Sequence, residues 1–406
     1  MLVSFSCANV RSIKDKISFT MESSVDKSQN ENLIYDETLN KDYLRFSAVF
    51  GENGSGKTSF LVALSILHNI VLSNPNILHG QPLLSIPHKL SLNEPTSFEI
   101  VFVQNGVRYR YFLEYKGRSI LKEKLEYWPN GRVACIFDRN EKQFSVSESF
   151  PKLYNAILNK LDSNKLFFVI ASQDTPYKEL KNAISFFTQS LVIYSPGANN
   201  WFDYSANQIE KNLETKQKVL GFLNSIGVNA KDIKSHVEQR LLKPNEIPFE
   251  FGDQFRNIAM TQMATFSHLE LDYGNFSVDY NEESAGVQSL LQFLCPLFDI
   301  FENGKIFICD EIESHLHPTA IRKIIEIFNS NKKSCAQVIL TTHDIDMLDI
   351  NLLRRDQIWF SYMKENHSSE IFRLSDLKGV RKDDNLKKNY LSGIYKKNWI
   401  DKNKEN

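Results

Sequence analysis

The chain has 406 residues, 42% of them hydrophobic and 24% charged, with a formal net charge of -1 and a pI near 6.8. That is enough chain for two or three domains and a large core, and the near-neutral balance excludes a global basic field, so any nucleic-acid contact must rest on a local patch. The five cysteines, Cys7, Cys135, Cys295, Cys309 and Cys335, never form a CxxC pair and read as reduced thiols of a cytoplasmic protein; the N-terminus has no basic leader and no run approaches 18 apolar residues, which argues against export and membrane spanning.

In chain order, Leu2 to Ala8 and Ile17 to Met21 read as two short strands around the turn Asn9-Val10-Arg11-Ser12, and the polar stretch Glu22 to Asp42 reads as a loop. Next comes an apolar strand, Phe46 to Phe50, a loop holding Gly51, Gly54 and Gly56, and an apolar-periodic helix from Phe60 to Leu72. Gly51, Gly56, Lys57 and Thr58 satisfy G-x-x-x-x-G-K-[ST] in its strand-loop-helix context. The chemistry needs these types because successive backbone N–H groups of the loop, Asn53, Gly54, Ser55 and Gly56 through Ser59, must close around phosphate oxygens that side chains at the glycines would obstruct. The helix N-terminus adds positive potential. Lys57 then reaches the β- and γ-phosphates, and the Thr58 hydroxyl can ligate Mg²⁺.

A linker with Pro75, Pro82, Pro87 and Pro95 leads into a period of two: Ser97 to Gln104, Val107 to Tyr115, Ile120 to Trp128 and Val133 to Phe137, joined by turns at Asn105-Gly106, Lys116-Gly117 and Pro129-Asn130-Gly131. This predicts an antiparallel meander. Arg108, Tyr109, Arg110 and Tyr111 interleave basic and aromatic residues as nucleic-acid binders do, but the alternation fits a half-buried sheet equally well. Residues from Pro151 to about Arg240 read as mainly helical, without the sustained heptads of a coiled coil. A hairpin about Gly274 follows, then Glu283-Ser284-Ala285-Gly286-Val287-Gln288 at the start of a helix, Leu290 to Phe301. The strand Lys305 to Cys309 ends in Asp310-Glu311, where one carboxylate can hold a metal shell and the next can deprotonate water. Cys335 to Thr342 reads as another strand with His343 at its end, where an imidazole can meet developing charge. Two rival readings stand beside these: zinc held by His315 and His317 with Glu311 or Glu313, and a nuclease dyad at Asp344 and Asp346.

The order of these motifs resembles the ATP-binding cassette ATPases, specifically their soluble SMC-like and DNA-repair branch. The resemblance implies an α/β P-loop NTPase fold with an antiparallel β meander and an inserted helical lid, divided into 1–150, 151–265 and 266–406. It implies ATP and Mg²⁺ as cofactors, Asp310 and Thr58 as metal ligands, and Glu311 and His343 as catalytic residues. Ser284, Gly286 and Gln288 of one subunit would cap the nucleotide held by the other, Arg11 in the N-x-R-S turn would approach the phosphates, and Gln173, in Ile170-Ala171-Ser172-Gln173 after an apolar strand, is the candidate glutamine linking the arm to Mg²⁺. The tail, Leu352 to Phe360, Val380-Arg381-Lys382 and Asn389 to Tyr395, looks like that of bacterial AAA-family ATPases of abortive-infection loci, which commonly sit beside a separate Toprim-type nuclease. Lys396 replaces the usual glycine after the last tyrosine, and Ala285 stands where an acidic residue or glycine is frequent. The expected function is therefore an ATPase working as an ATP-sandwiched homodimer, away from membranes, that gates a nuclease partner in anti-phage defence. About 60 residues follow His343, with no glutamate-plus-DxD arrangement, so the effector is expected in trans. The alternatives are a DNA- or RNA-binding ATPase of the SMC kind and a slow ATP-dependent sensor.

Overall fold

A computed structural model of the chain describes residues 1–26, 28–151, 153, 161–173, 175–194, 201–243, 263–314, 316–330, 334–381 and 384–404. Two compact units emerge: one of Met1–Ser195, Phe301–Glu313 and Arg322–Asn406, the other of Pro196–Ile300 with Ser314–Ile321.

The first unit begins with β1 (Leu2–Ala8), β2 (Ile17–Thr20), the hairpin β3 (Leu33–Asp36) and β4 (Lys41–Leu44), β5 (Phe46–Phe50) and helix α1 (Lys57–Ser73). Strands β6 (Thr96–Gln104), β7 (Val107–Lys116), β8 (Ser119–Trp128), β9 (Ala134–Asn140) and β10 (Gln143–Val146) follow, then α2 (Phe167–Ser172), α3 (Lys178–Ser185) and β11 (Leu191–Tyr194). The meander is antiparallel and extends to a seven-stranded sheet ordered β10-β9-β8-β7-β6-β1-β2. Its period-two reading holds on β7, where Tyr109, Tyr111, Leu113 and Tyr115 are buried and Arg108, Arg110 and Glu114 are less so, while Asn105 and Gly106 take the positive φ values of a tight hairpin turn. Arg108 and Arg110 both lie over the Trp128 ring.

The second unit contains α4 (Phe202–Lys211), α5 (Leu213–Ser225), a three-stranded antiparallel sheet of β12 (Asp232–Leu241), β13 (Met263–Asp272) and β14 (Ser277–Asp279), and α6 (Ala285–Glu302). The chain then supplies β15 (Ile306–Cys309), α7 (Pro318–Ser330), β16 (Gln337–Thr342), β17 (Ile358–Met363), β18 (Ser369–Arg373), α8 (Leu386–Leu391) and α9 (Ile394–Lys404). In the first unit β11, β15, β16, β5, β17 and β18 form a six-stranded sheet in that order, parallel except for the last pair. Its central strands are buried at every position, as expected of a parallel sheet covered on both faces.

Both sheets contribute to one apolar cluster, which also contains the buried face of α1. Phe60 packs its ring 6.0 Å from that of Phe5 and 5.0 Å from that of Phe19. Helix α1 and its short extension are apolar enough by composition to cross a membrane, and this burial accounts for that composition.

Three expectations change. Glu22 to Asp42 is not simply a loop: it holds the β3–β4 hairpin, and Ser24 donates through N–H and hydroxyl, 2.8 Å each, to the buried Asp356 carboxylate. The apolar run before Gln173 is helix α2 rather than a strand, because Phe167, Phe168 and Ala171 bury one helical face. The span expected to be mainly helical also contains β11 and nearly all of β12; α2 and α3 belong to the first unit, and α4 and α5 to the second.

Candidate active site

Strand β5 delivers its C-terminal end to Gly51, and α1 begins at Lys57 with Gly56 at φ 106°. No side chain fits at Gly56, since a Cβ there would collide with the Ser369 side chain and lie 3.0 Å from Ser12 Oγ. Gly51 is equally confined, by the Ser55 hydroxyl and the Ser361 carbonyl. The first turn of α1 is held from outside the loop by a chain of hydroxyls: Ser12 Oγ donates to Ser59 Oγ at 2.8 Å and Ser369 Oγ to Ser12 Oγ at 2.7 Å.

The Lys57 ammonium is buried inside this loop and donates to the carbonyls of Gly51 at 2.7 Å and Glu52 at 3.1 Å. Burial pushes it below the usual lysine range, while the charges of Glu311, Glu313 and Asp310 pull it back up. It is a cation held at the loop centre by weak neutral acceptors, which phosphate oxygens would replace with stronger charge-assisted bonds.

Parallel pairing of β15 with β16, and of β16 with β5, brings the ends of three strands together. Asp310 and Glu311 follow β15, and His343 follows β16. The Thr341 hydroxyl donates to Asp310 Oδ1 and accepts the Glu311 N–H at 3.0 Å. Glu311 has φ 45°, a left-handed backbone that non-glycine residues seldom adopt. Beyond it, Glu313 Oε1 accepts the His343 N–H at 2.6 Å, and His343 Nε2 lies 3.5 Å from Glu313 and 3.6 Å from Glu311. Sequence reasoning missed Thr341, and it weighed Glu313 only as a zinc ligand rather than as a partner of His343. Their contacts run between neighbouring strands rather than along the chain, and only Glu313's nearness to Asp310-Glu311 hinted at a role.

Of these groups Lys57, Glu311 and His343 line one cleft of about 570 Å³, and Asp310, Thr341 and Glu313 are not among its walls. Its walls are Arg11 and Ser12, Asn53 and Gly54, Gly56 to Ser59, and, from far along the chain, Glu311 and His343. Arg11 has φ 51° and donates its N–H to Ile86 O at 2.7 Å. The neighbouring Asn9, fully integrated in the fold, donates to Ser91 O and Glu94 O and accepts the His88 N–H. The Arg11 end of the cleft adjoins a second, apolar recess of about 540 Å³ against Ile86, Pro87 and Leu90.

Other expected site residues lie elsewhere. Ser284, Ala285 and Gly286 are exposed on the second unit at the start of α6, where Ser284 O accepts the Gln288 N–H at 2.9 Å and Gln288 Nε2 donates to Glu283 O at 3.0 Å. Gln173 is exposed after α2 and is not a wall of the cleft. Among the described residues, no group of three or more His, Cys, Asp or Glu side chains is arranged to hold a metal ion. His315, part of the zinc reading, lies outside the described residues.

Residues 46–349 match the family described as "AAA domain, putative AbiEii toxin, Type IV TA system". Solved structures similar to the chain include an SmcHead bound to the C-winged helix domain of ScpA, with TM-score 0.39 and 14% identity over 91% of this chain and 96% of that one. The SMC head domain from Thermotoga maritima gives TM-score 0.40 and 12% identity over 92% and 98%. No curated protein matches the chain.

Proposed function

This chain belongs to that AAA-domain family, and on that premise we propose that it binds and hydrolyses ATP with Mg²⁺. The observation that carries the reading is the convergence of the glycine loop, Lys57 and Thr58 with Glu311 and His343 on one cleft. The residues suit the cofactors: the loop has no room for side chains at Gly51 and Gly56, and Thr58 on the cleft wall, with Asp310 beside Glu311 at the end of β15, would supply the few oxygen ligands that Mg²⁺ takes from protein. Mg²⁺, when bound, would neutralise charge on the β- and γ-phosphates.

In this reading Lys57 exchanges its two carbonyl acceptors for phosphate oxygens, and the N–H groups of the loop and first turn of α1 orient the triphosphate. Glu311 accepts a proton from the attacking water. His343, held by Glu313, meets the developing charge at the γ-phosphate. The apolar recess at Ile86, Pro87 and Leu90 gives the nucleoside end a place to lie.

We further read Ser284, Gly286 and Gln288 as a cap for nucleotide bound to a second copy, a role supported by the exposure of Ser284 and Gly286 at a helix start in the second unit. Gln173 is the proposed link from the 151–265 segment to the metal. We also propose a place in anti-phage defence in which the ATPase gates a separate nuclease; the family description contributes to this only its AbiEii toxin and type IV toxin–antitoxin context. Five free thiols support a cytoplasmic setting.

The test is phosphate release from ATP with and without Mg²⁺. Metal-dependent turnover that is lost in Glu311→Gln, with ATP still bound, is expected; unchanged turnover in that variant refutes the assignment. Copurification with the product of the adjacent gene, with and without ATP, tests the gating: a solitary protein under both conditions argues against it.

A further inference from the structure

The outer wall of the glycine loop faces a second cavity of about 390 Å³, lined by Phe360, Tyr362, Phe372, Tyr390 and Tyr395 together with Glu52 to Ser55. It shares Asn53 and Gly54 with the phosphate cleft and includes no residue of α1, Arg11 or Ser12. The nucleoside end of ATP lies with the Arg11 recess in the reading above, so this cavity is left without an occupant from the proposed reaction.

Its construction is chemically specific. Phe360 stacks on Tyr390 and on Tyr395 with centroids 5.3 Å apart in both pairs and interplanar angles of 17° and 24°. Aromatic walls of this kind favour a flat, polarisable guest, and the volume is that of a small-ligand site rather than a packing gap. Polar residues on the loop side are Glu52, Asn53 and Ser55, and Ser361 and His367 add others. Ser55 is only 4% exposed, and among the described residues its hydroxyl has no hydrogen-bond partner, an unusual state for a buried polar group. Lys396 lines the same cavity with its ammonium 5.5 Å from the Tyr362 ring, adding a cation for an anionic substituent.

We propose that this cavity is a second ligand site, taking a free planar heteroaromatic of purine size, with a hydrogen-bonding edge toward Ser55 and Asn53. An occupant would rest on Glu52, whose carbonyl, with that of Gly51, holds Lys57. Occupancy therefore couples to the phosphate site, and by linkage each ligand changes the other's affinity by one common factor. The coupling rests on the ATP-site reading; the binding itself does not.

The experiment titrates the full chain with 2-aminopurine riboside, which carries no phosphate, and follows its fluorescence. Saturable quenching at one site is expected, retained in Lys57→Ala. Met363→Trp, which places an indole among the lining residues, and Tyr390→Ala, which removes a wall, should each weaken binding at least tenfold while melting within a few degrees of the parent. Three results would overturn the proposal: no saturable binding up to millimolar riboside, equal affinity in the parent and in whichever variants remain folded, or loss of binding in Lys57→Ala, which would put the probe in the phosphate cleft. Displacement of the riboside by a single-stranded oligonucleotide of the same base more readily than by free riboside would also overturn it, in favour of a nucleic-acid strand. ATP binding is measured in parallel, so a failed ATP site and a failed second site are told apart.

Discussion

Glu313 accepts the backbone N–H of His343 at 2.6 Å and stands 3.5 Å from the Nε2 of the same residue. One carboxylate thus holds the main chain and adjoins the ring at the end of β16, and among the described residues its Oε2 is buried without a hydrogen-bond partner. Glu313→Ala should lower kcat by roughly 10- to 100-fold, because a small misplacement of a reacting group is costly, while KM for ATP changes little. Glu313→Gln, whose amide oxygen can still accept the N–H, should recover part of the loss. Steady-state kinetics on the pair checks this, and equal loss in both variants would assign the effect to charge instead.

Lys57 occupies the centre of the loop, donating to Gly51 O and Glu52 O, and in the proposed function it contributes to binding. Lys57→Ala removes a charge-assisted contact of about 1.5–3 kcal/mol, a loss of roughly 10- to 150-fold in ATP affinity. Calorimetric titration with ATP is the direct measurement.

Gly56 combines φ 106° with closely packed neighbours, whereas Gly54, at φ 78°, has nothing within 4 Å of a would-be Cβ. Gly54→Ala should cost only the backbone strain, about 1 kcal/mol. Gly56→Ala must also displace Ser369 and Ser12, so it should lose more stability and ATP binding together. Thermal unfolding of the two variants side by side distinguishes them.

Asp356 ties the N-terminal segment to the six-stranded sheet, bonding Arg354 on one side and Ser24 on the other. Burial alone would raise its carboxyl, but the Arg354 guanidinium, the Ser24 N–H and the charge of Arg373 hold it below the usual carboxylate range. A folded-state value lower than the unfolded one means that its stabilisation is present above about pH 4 and fades as the pH falls further. Asp356→Asn leaves Arg354 buried and short of a counter-charge, and should cost about 3–5 kcal/mol near neutrality. The gap between parent and variant should narrow in acid, as read from urea midpoints at neutral pH and at pH 3.

How much of this was legible before the fold was known depends on the distance over which each signal acts. The loop from Gly51 to Ser59 and the turn at Asn105-Gly106 are dictated by local backbone chemistry, and both are found where the residues predict them. The β3–β4 hairpin hid in a polar stretch because its order comes from distant partners: Ile34 and Tyr43 pack with Val3, Val101 and Val103. Helix α2 was misread as a strand because a short apolar run is ambiguous in period, and burial of Phe167 and Phe168 decides it. Thr341 bonds Asp310 across adjacent strands, and Ser369 reaches Ser12 from the far end of the chain; such contacts follow from strand order, which no local pattern encodes.

The central claim is that nucleotide held at Lys57 is closed off by Ser284 of a second copy, and light scattering on Glu311→Gln tests it most directly. With Mg-ATP the variant should double its mass, and it should return to a monomer without nucleotide or when Ser284→Arg is added. A protein that binds ATP yet keeps the mass of a single chain, or a dimer indifferent to both nucleotide and Ser284→Arg, would contradict the account.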